Sequence, residues 1–412
     1  MEPKVEIIQI NIAGGDRMGV TSALTKILAN YNAFILDIGQ ANIHQSLALG
    51  ILFKTTSDKA GDIMKDLLFK ANELDINIKF TLISEAEYSA WVARQGKNRH
   101  IITLLGRYIS AAQISAVSEI ILTQNLNIDG IHRLTGRLEL DESLRDSKAC
   151  IELSVRGTPV DKQLMQKNLM NLANELDFDI SMQHDDMFRR TRRLICFDMD
   201  STLIETEVID ELAKRAGVGN EVAAITESAM RGEIDFKESF IRRVAMLEGL
   251  NVSVMQDIAE NLPISEGLEA LMSTLKYVGF KTAILSGGFT FFAKYLQQKF
   301  GFDYVYANEL EIDKNNKLTG RHLGDIVDGK RKAELLRMMA QVEKIDIAQV
   351  VAVGDGANDL PMISTAGLGI AFHAKPKVKE NAGQAISTIG LDGILYLLGL
   401  KDLNNSEFEI RP

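Results

Sequence analysis

Residues 194–202 read Leu194-Ile195-Cys196-Phe197-Asp198-Met199-Asp200-Ser201-Thr202, four apolar residues followed at once by two carboxylates one residue apart. A short apolar run closed by polar turn residues marks a strand buried on both faces, as in a parallel sheet. Two later runs repeat the pattern: Thr282-Ala283-Ile284-Leu285 ends in Ser286-Gly287-Gly288, and Val350-Val351-Ala352-Val353 ends in Gly354-Asp355-Gly356-Ala357-Asn358-Asp359. Helical periodicity separates the three runs, so residues 190–400 are expected to form an α/β, Rossmann-like domain. Between the first two strands, residues from about 208 to 262 are helical in pattern and too long for a simple crossover; they read as a helical cap inserted over the domain.

Upstream of this region the chain has a different rhythm. Val5–Ile12 alternates as a strand does, and Gly14-Gly15-Asp16-Arg17-Met18-Gly19 turns into a segment of helical period. Strands at 33–44 and 47–54, a helix at 60–74 and a strand at 78–84 complete a βαββαβ order over residues 1–90. From His100 the order begins again and fills residues 98–186. A repeat of roughly 90 residues indicates tandem α+β domains rather than a solenoid. Gln183–Asp186 and the basic cluster Arg189, Arg190, Arg192 and Arg193 read as the connection to the α/β domain.

Composition narrows the function. The 412 residues are 46% hydrophobic and 25% charged, which excludes a disordered chain and leaves material for two or three cores. Net charge is −10 with no long basic block, so neither nucleic acid nor an anionic membrane is an expected partner. No stretch approaches the ~18 apolar residues of a membrane span, and Met1–Glu6 lacks a cationic and apolar leader, so a cytoplasmic protein is expected. Cys150 and Cys196 show neither CxxC spacing nor paired histidines and read as core residues.

In doubly wound sheets, ligands bind outside the carboxyl ends of the strands. Asp198, Asp200, Ser286 and Asp355 stand at such ends, and Lys332 opens a helix between the second and third strands, so one crevice receives them all. Phosphoryl transfer is the chemistry that needs this set. An aspartate is a usable nucleophile toward phosphorus, which assigns Asp198, and a carboxyl two residues on is placed to protonate the leaving alcohol and then deprotonate water, which assigns Asp200. A phosphate dianion beside carboxylates requires a hard cation. Mg²⁺ held by Asp198, the Asp200 backbone carbonyl and Asp355 satisfies this. Lys332 neutralises charge, while the Ser286 hydroxyl and Gly287 amide hold phosphate oxygens.

The series DxDST, SGG, lysine, GDGxND resembles the haloacid dehalogenase superfamily of aspartyl phosphotransferases, and the remainder of residues 190–395 is similar to its phosphoserine phosphatases. The resemblance implies hydrolysis of O-phospho-L-serine, with Asn358 contacting substrate and Asp359 supporting the site. It carries over Glu207 as the partner of the substrate ammonium, Arg243 as the partner of its carboxylate, with Arg242 as runner-up, and Phe236 as a shielding ring on the cap. Charges of opposite sign at two points suit a zwitterion, and a planar guanidinium suits a carboxylate. Glu309–Gly320, with Asn315-Asn316 at its turn, resembles the family's hairpin. The two βαββαβ units resemble ACT domains, which implies an amino acid effector such as L-serine and a homodimer through the N-terminal half. Asp16, Arg17 and Gly19 are the candidate effector residues; the second copy has Gly106-Arg107-Tyr108-Ile109-Ser110 at the same turn and lacks the Asp-Arg-x-Gly pattern. Two other readings keep part of this picture: a phosphatase or phosphotransferase with another substrate, and an amino-acid-responsive binder with vestigial catalysis.

Overall fold

The computed structural model describes residues 4–93, 96, 98–137 and 147–402. It divides into two compact units, Met1–Lys97 and Asn98–Pro412. Residues 1–3 of the repeat expected over 1–90, and 138–146 of that over 98–186, lie outside the described residues.

In the first unit, β1 (Val5–Gly15), β2 (Phe34–Ile43), β3 (Ser46–Thr56) and β4 (Ile76–Ile83) form an antiparallel sheet in the order β2-β3-β1-β4. Alternation puts Ile8, Ile10 and Ile12 on one face, where they meet Val20, Leu24 and Leu28 of the helix Val20–Asn30 and Ile63 and Leu67 of the helix Ser57–Glu73. Each such buried side chain contributes about 1.5–3 kcal/mol relative to exposure. A further helix, Glu85–Ala93, follows β4 and buries no residue. Its start is a local device: the Ser84 amide and hydroxyl donate to the Glu87 carboxylate at 2.9 and 2.7 Å, and the Glu87 amide donates back to the Ser84 hydroxyl at 3.2 Å.

The second unit opens with the same topology. Strands β5 (Arg99–Gly106), β6 (Asn127–Arg133), β7 (Ala149–Arg156) and β8 (Asp179–His184) pair in the order β6-β7-β5-β8, with the helices Ala111–Thr123 and Lys162–Glu175 against them. Next come β9 (Leu194–Phe197), β10 (Lys281–Phe289), β11 (Tyr304–Ile312), β12 (Leu318–Leu323), β13 (Val350–Gly354), β14 (Leu368–Phe372) and β15 (Ala385–Ile386). They build a seven-stranded sheet in the order β12-β11-β10-β9-β13-β14-β15, parallel except for the β11–β12 hairpin. β9 lies at its centre with every residue buried, which is why its sequence is apolar without alternation. Four helices, Val208–Ala216, Gly219–Met230, Phe236–Ala245 and Ser253–Glu260, fall between β9 and β10 within the segment read as the cap. Both cysteines are buried and unpaired. No described helix is long and apolar enough to cross a membrane.

The edge strand β8 is covered by the last part of the seven-stranded sheet. Asp179 accepts from the Ser387 and Thr388 amides at 2.8 Å each and from the Thr388 hydroxyl at 2.7 Å. The Gln384 side chain pairs with both backbone groups of Met182, at 3.0 and 2.8 Å, as a neighbouring strand would. Gln183 Nε2 donates to the Leu397 carbonyl at 2.9 Å, and ion pairs join Arg107 to Glu266, Lys148 to Asp392 and Arg189 to Glu152. Asp179 is 4% exposed, and burial pushes its carboxyl up while these hydrogen bonds pull it down.

Candidate active site

The carboxyl ends of β9, β10 and β13 converge, as the strand order requires, and bring Asp198, Ser286 and Asp355 to one crevice. The Asp198 amide donates to the Val353 carbonyl at 2.9 Å, which locks the end of β9 to β13. The helix Gly329–Val342 starts at the Asp328 cap and carries Lys332, wholly buried, to 2.8 Å from Asp198 Oδ1 and 2.7 Å from Asp359 Oδ1. Burial opposes charge on Lys332, but Asp198 and Asp359 outweigh it and hold its pKa above the ordinary lysine value. Asp359 is itself fixed by the Gly356 amide, 2.9 Å from its Oδ2.

Burial, then Asp359, push the Asp198 carboxyl well above the usual carboxylate range despite the opposing pull of Lys332. Asp200 is pushed up as well, by burial first and then by Glu207 and Asp198, and its Oδ1 accepts from the Val208 amide at 3.1 Å. Burial, with Asp359 and Glu207, brings Asp355 up to about 7. Carboxylates held this high in one place are short of positive charge. Oxygen atoms of Asp198, Asp355 and Asp359 lie within 4.8 Å of one another, an all-oxygen donor set that suits a hard divalent cation. The Asp200 carboxylate is not in this group; the sequence reading gave it a metal role only through its backbone carbonyl.

Glycines line the crevice, and at two of them the neighbours leave no room for a Cβ. One built on Gly288 would overlap Asp200 Oδ2, one on Gly354 would overlap the Asp359 carboxylate, and one on Gly287 would lie 3.0 Å from Phe236 Cζ. Phe236, on the cap, therefore already rests over the phosphate-loop candidate Gly287. The Ser286 hydroxyl accepts from the Gly288 amide at 2.9 Å and is fully buried. Asn358 is half-buried in the turn Ala357–Asp359.

Just ahead of the cap, Glu207 precedes the helix Val208–Ala216 with its side chain still open to solvent; the protein crowded around it pushes its carboxyl up, against the pull of its hydrogen bond from Ser201. Burial lowers the Arg243 pKa, while Glu207, Asp210 and Asp200 are near enough to counter it. Its guanidinium reaches the Ser239 carbonyl at 3.4 Å and Thr226 Oγ1 at 3.5 Å. Arg242, the runner-up, is turned outward and pairs with Glu238.

Two residues that sequence reasoning gave no role belong to the site. Asn308, 1% exposed, donates to the Gly287 carbonyl and accepts from the Val327 amide, both at 2.8 Å, tying the end of β10 to the approach of the Lys332 helix. Thr202 Oγ1 donates to Asp355 Oδ1 at 3.1 Å. The DxDST spacing held the signal for Thr202; nothing local marked Asn308.

The effector candidates lie in the first unit. Gly19 has φ +92° and precedes the helix Val20–Asn30, so glycine is required there. Asp16 Oδ2 accepts from Asn42 at 2.8 Å, whereas Arg17 pairs with Asp75 at 3.4 Å, so the two are tied to different neighbours. At the matching turn of the second repeat, Arg107 holds Glu266 through two bonds of 2.9 and 2.6 Å.

Comparison with known proteins gives three family matches: ACT domain over residues 6–81 and again over 98–183, and haloacid dehalogenase-like hydrolase over 195–364. The chain is 40% identical over 404 residues to phosphoserine phosphatase SerB2 of Mycobacterium tuberculosis, covering 97% of this chain and 94% of that protein. It is 36% identical over 400 residues to a phosphoserine phosphatase of Streptomyces coelicolor, covering 96% and 93%. Among solved structures, an unliganded probable phosphoserine phosphatase from Vibrio cholerae superposes with a TM-score of 0.58 at 35% identity, over 73% of this chain and 86% of that one.

Proposed function

The chain belongs to the phosphoserine phosphatase family of haloacid dehalogenase-like hydrolases bearing two ACT domains, and from that premise we propose that it hydrolyses O-phospho-L-serine to L-serine and phosphate. The observation that carries the reading is the buried set Asp198–Lys332–Asp359 with a second raised carboxyl, Asp200, beside it. An Asp198 oxygen attacks phosphorus as the bond to the seryl oxygen breaks, and Asp200 gives that oxygen its proton. The carboxyl of Asp200 suits this donor role because its surroundings favour the protonated form. Water then attacks the aspartyl phosphate, passes its proton to Asp200, and releases phosphate as Asp198 is regenerated. Lys332 keeps positive charge against Asp198 throughout. Asp198, Asp355 and the Asp200 carbonyl are the proposed holders of Mg²⁺, with Asp359 alongside; the ion supplies charge neutralisation for the phosphate.

Glu207 and Arg243 receive the substrate's ammonium and carboxylate, Ser286, Gly287 and Asn358 its phosphate, and Phe236 shields the reaction from bulk water. Its proposed role is the last step of L-serine biosynthesis, carried out in the cytoplasm. The first repeat is the proposed effector site, at Asp16, Arg17 and Gly19; at the matching turn of the second, Arg107 is already held by the chain's own Glu266 carboxylate. The helices cover one face of the first sheet, and edge strand β2 exposes Phe34, Ile35, Ile38 and Ile43, which supports the homodimer reading.

Phosphate release from O-phospho-L-serine, with and without Mg²⁺ and titrated with L-serine, tests the proposal. Release that requires Mg²⁺ and responds to L-serine is expected; no release under any of these conditions refutes it. A steric test is sharper. Gly288→Ala is expected to cut phosphate release by about 100-fold, because its Cβ displaces Asp200, with circular dichroism unchanged.

A further inference from the structure

Ser201 stands between the two candidate catalytic aspartates and the cap with φ +56°, the left-handed region where a Cβ is disfavoured. Most other non-glycine residues with positive φ in the described chain are Asn or Asp, which tolerate this region well. The turn itself does not ask for serine: its backbone bond, from the Ser201 amide to the Thr206 carbonyl at 3.2 Å, is open to any residue, and glycine would adopt the conformation without strain.

The side chain supplies the reason. Ser201 Oγ donates to Glu207 Oε1 at 3.1 Å, the hydrogen bond that the Glu207 carboxylate accepts among the described residues. Glu207 stands at the cap position of the helix Val208–Ala216, yet makes no side-chain bond to it. The Val208 amide is satisfied instead by Asp200. The Glu207 carboxylate is thus spared from helix capping and steered by Ser201 alone within this turn. A carboxylate on a flexible stem needs such an anchor to meet a ligand at one point.

We propose that Ser201 is a positioning residue that fixes the Glu207 carboxylate against the substrate ammonium, and so sets discrimination for phosphate esters that carry an α-ammonium. This rests on the phosphoserine reading above. It predicts that the hydroxyl matters and the backbone of the turn does not.

The test compares full-length wild type with Ser201→Ala and Ser201→Gly on O-phospho-L-serine and on its deamino analogue, 3-(phosphonooxy)propanoate. Removing a hydrogen bond to a charged group lowers the ratio of the two kcat/KM values by roughly 10-fold in both variants, mainly through KM for O-phospho-L-serine. General damage to the loop would lower both rates together and leave the ratio alone. If wild type discriminates and either variant keeps its ratio, the assignment of Ser201 is wrong; retention by glycine but not alanine would make the residue a turn former. If wild type itself treats both esters alike, the phosphoserine reading falls and takes this assignment with it.

Discussion

Asp198→Asn is expected to fold and to release phosphate at least about 10⁴-fold more slowly than the wild type, since an amide supplies no nucleophilic oxygen for the covalent step. Folding should survive because Lys332 keeps Asp359, 2.7 Å away, as its partner. Removing one of several crowded carboxyls also relieves the burial cost and the repulsion that push Asp198 upward, so the thermal midpoint should hold or rise. A phosphate-release assay beside a thermal melt checks both halves. Turnover above about 1% of wild type would refute Asp198 as the attacking group. Beryllofluoride should label the wild type at Asp198 and fail to label the variant.

Lys332→Ala carries the largest expected cost to the fold. The ammonium is completely buried between two carboxylates, and deleting it leaves both without their cation. Breaking a buried pair from one side costs about 3–5 kcal/mol, well beyond the loss of a surface ion pair. Lys332→Met, which restores most of the volume, separates charge from cavity and should be destabilised to a similar degree. The sign of the pH dependence follows from the carboxyls left behind. Burial already disfavours the charged form of Asp198, so acid that protonates it removes part of the penalty. Denaturant titrations should show a wide gap from wild type at pH 8 and a narrower one at pH 5. A gap that widens on acidification would mean the lysine is not balancing these carboxylates. Phosphate release should fall by at least about 10³-fold in both variants.

The architecture was readable wherever burial imposes a period. The β9, β10 and β13 runs are apolar because both faces are covered, and Gly288 and Gly354 are required by packing against Asp200 and Asp359, with Gly287 in tight contact with Phe236. The hairpin at Glu309–Gly320 could be read from Asn315-Asn316, and Asn316 does take a positive φ. The helix Glu85–Ala93 could not be found by period, since it buries nothing; its only mark is the Ser84-x-x-Glu87 cap. Arg243 and Arg242 were separable in principle. Ser239, Phe240 and Val244 are the buried stripe of their helix, and Arg243 falls beside it while Arg242 falls opposite, four residues from Glu238. Asn308 and Asp179 were beyond reach, because their partners lie on distant segments and a polar residue in a strand carries no local sign of what it will meet.

The clamp at Asp179 bears on how this polypeptide can be dissected. The basic stretch ahead of β9 looks like a natural place for a protease or an engineer to separate regulatory from catalytic halves. A break there that discards β8 would strip the Ser387 and Thr388 amides of their acceptor and bare the Met182-facing side of Gln384, so the liberated hydrolase should be sticky and short-lived at working temperature. Excision after residue 97 spares every one of these bonds. By the same logic, residue 179 and the 387–388 corner are bound to drift together, if they drift at all, over evolutionary time.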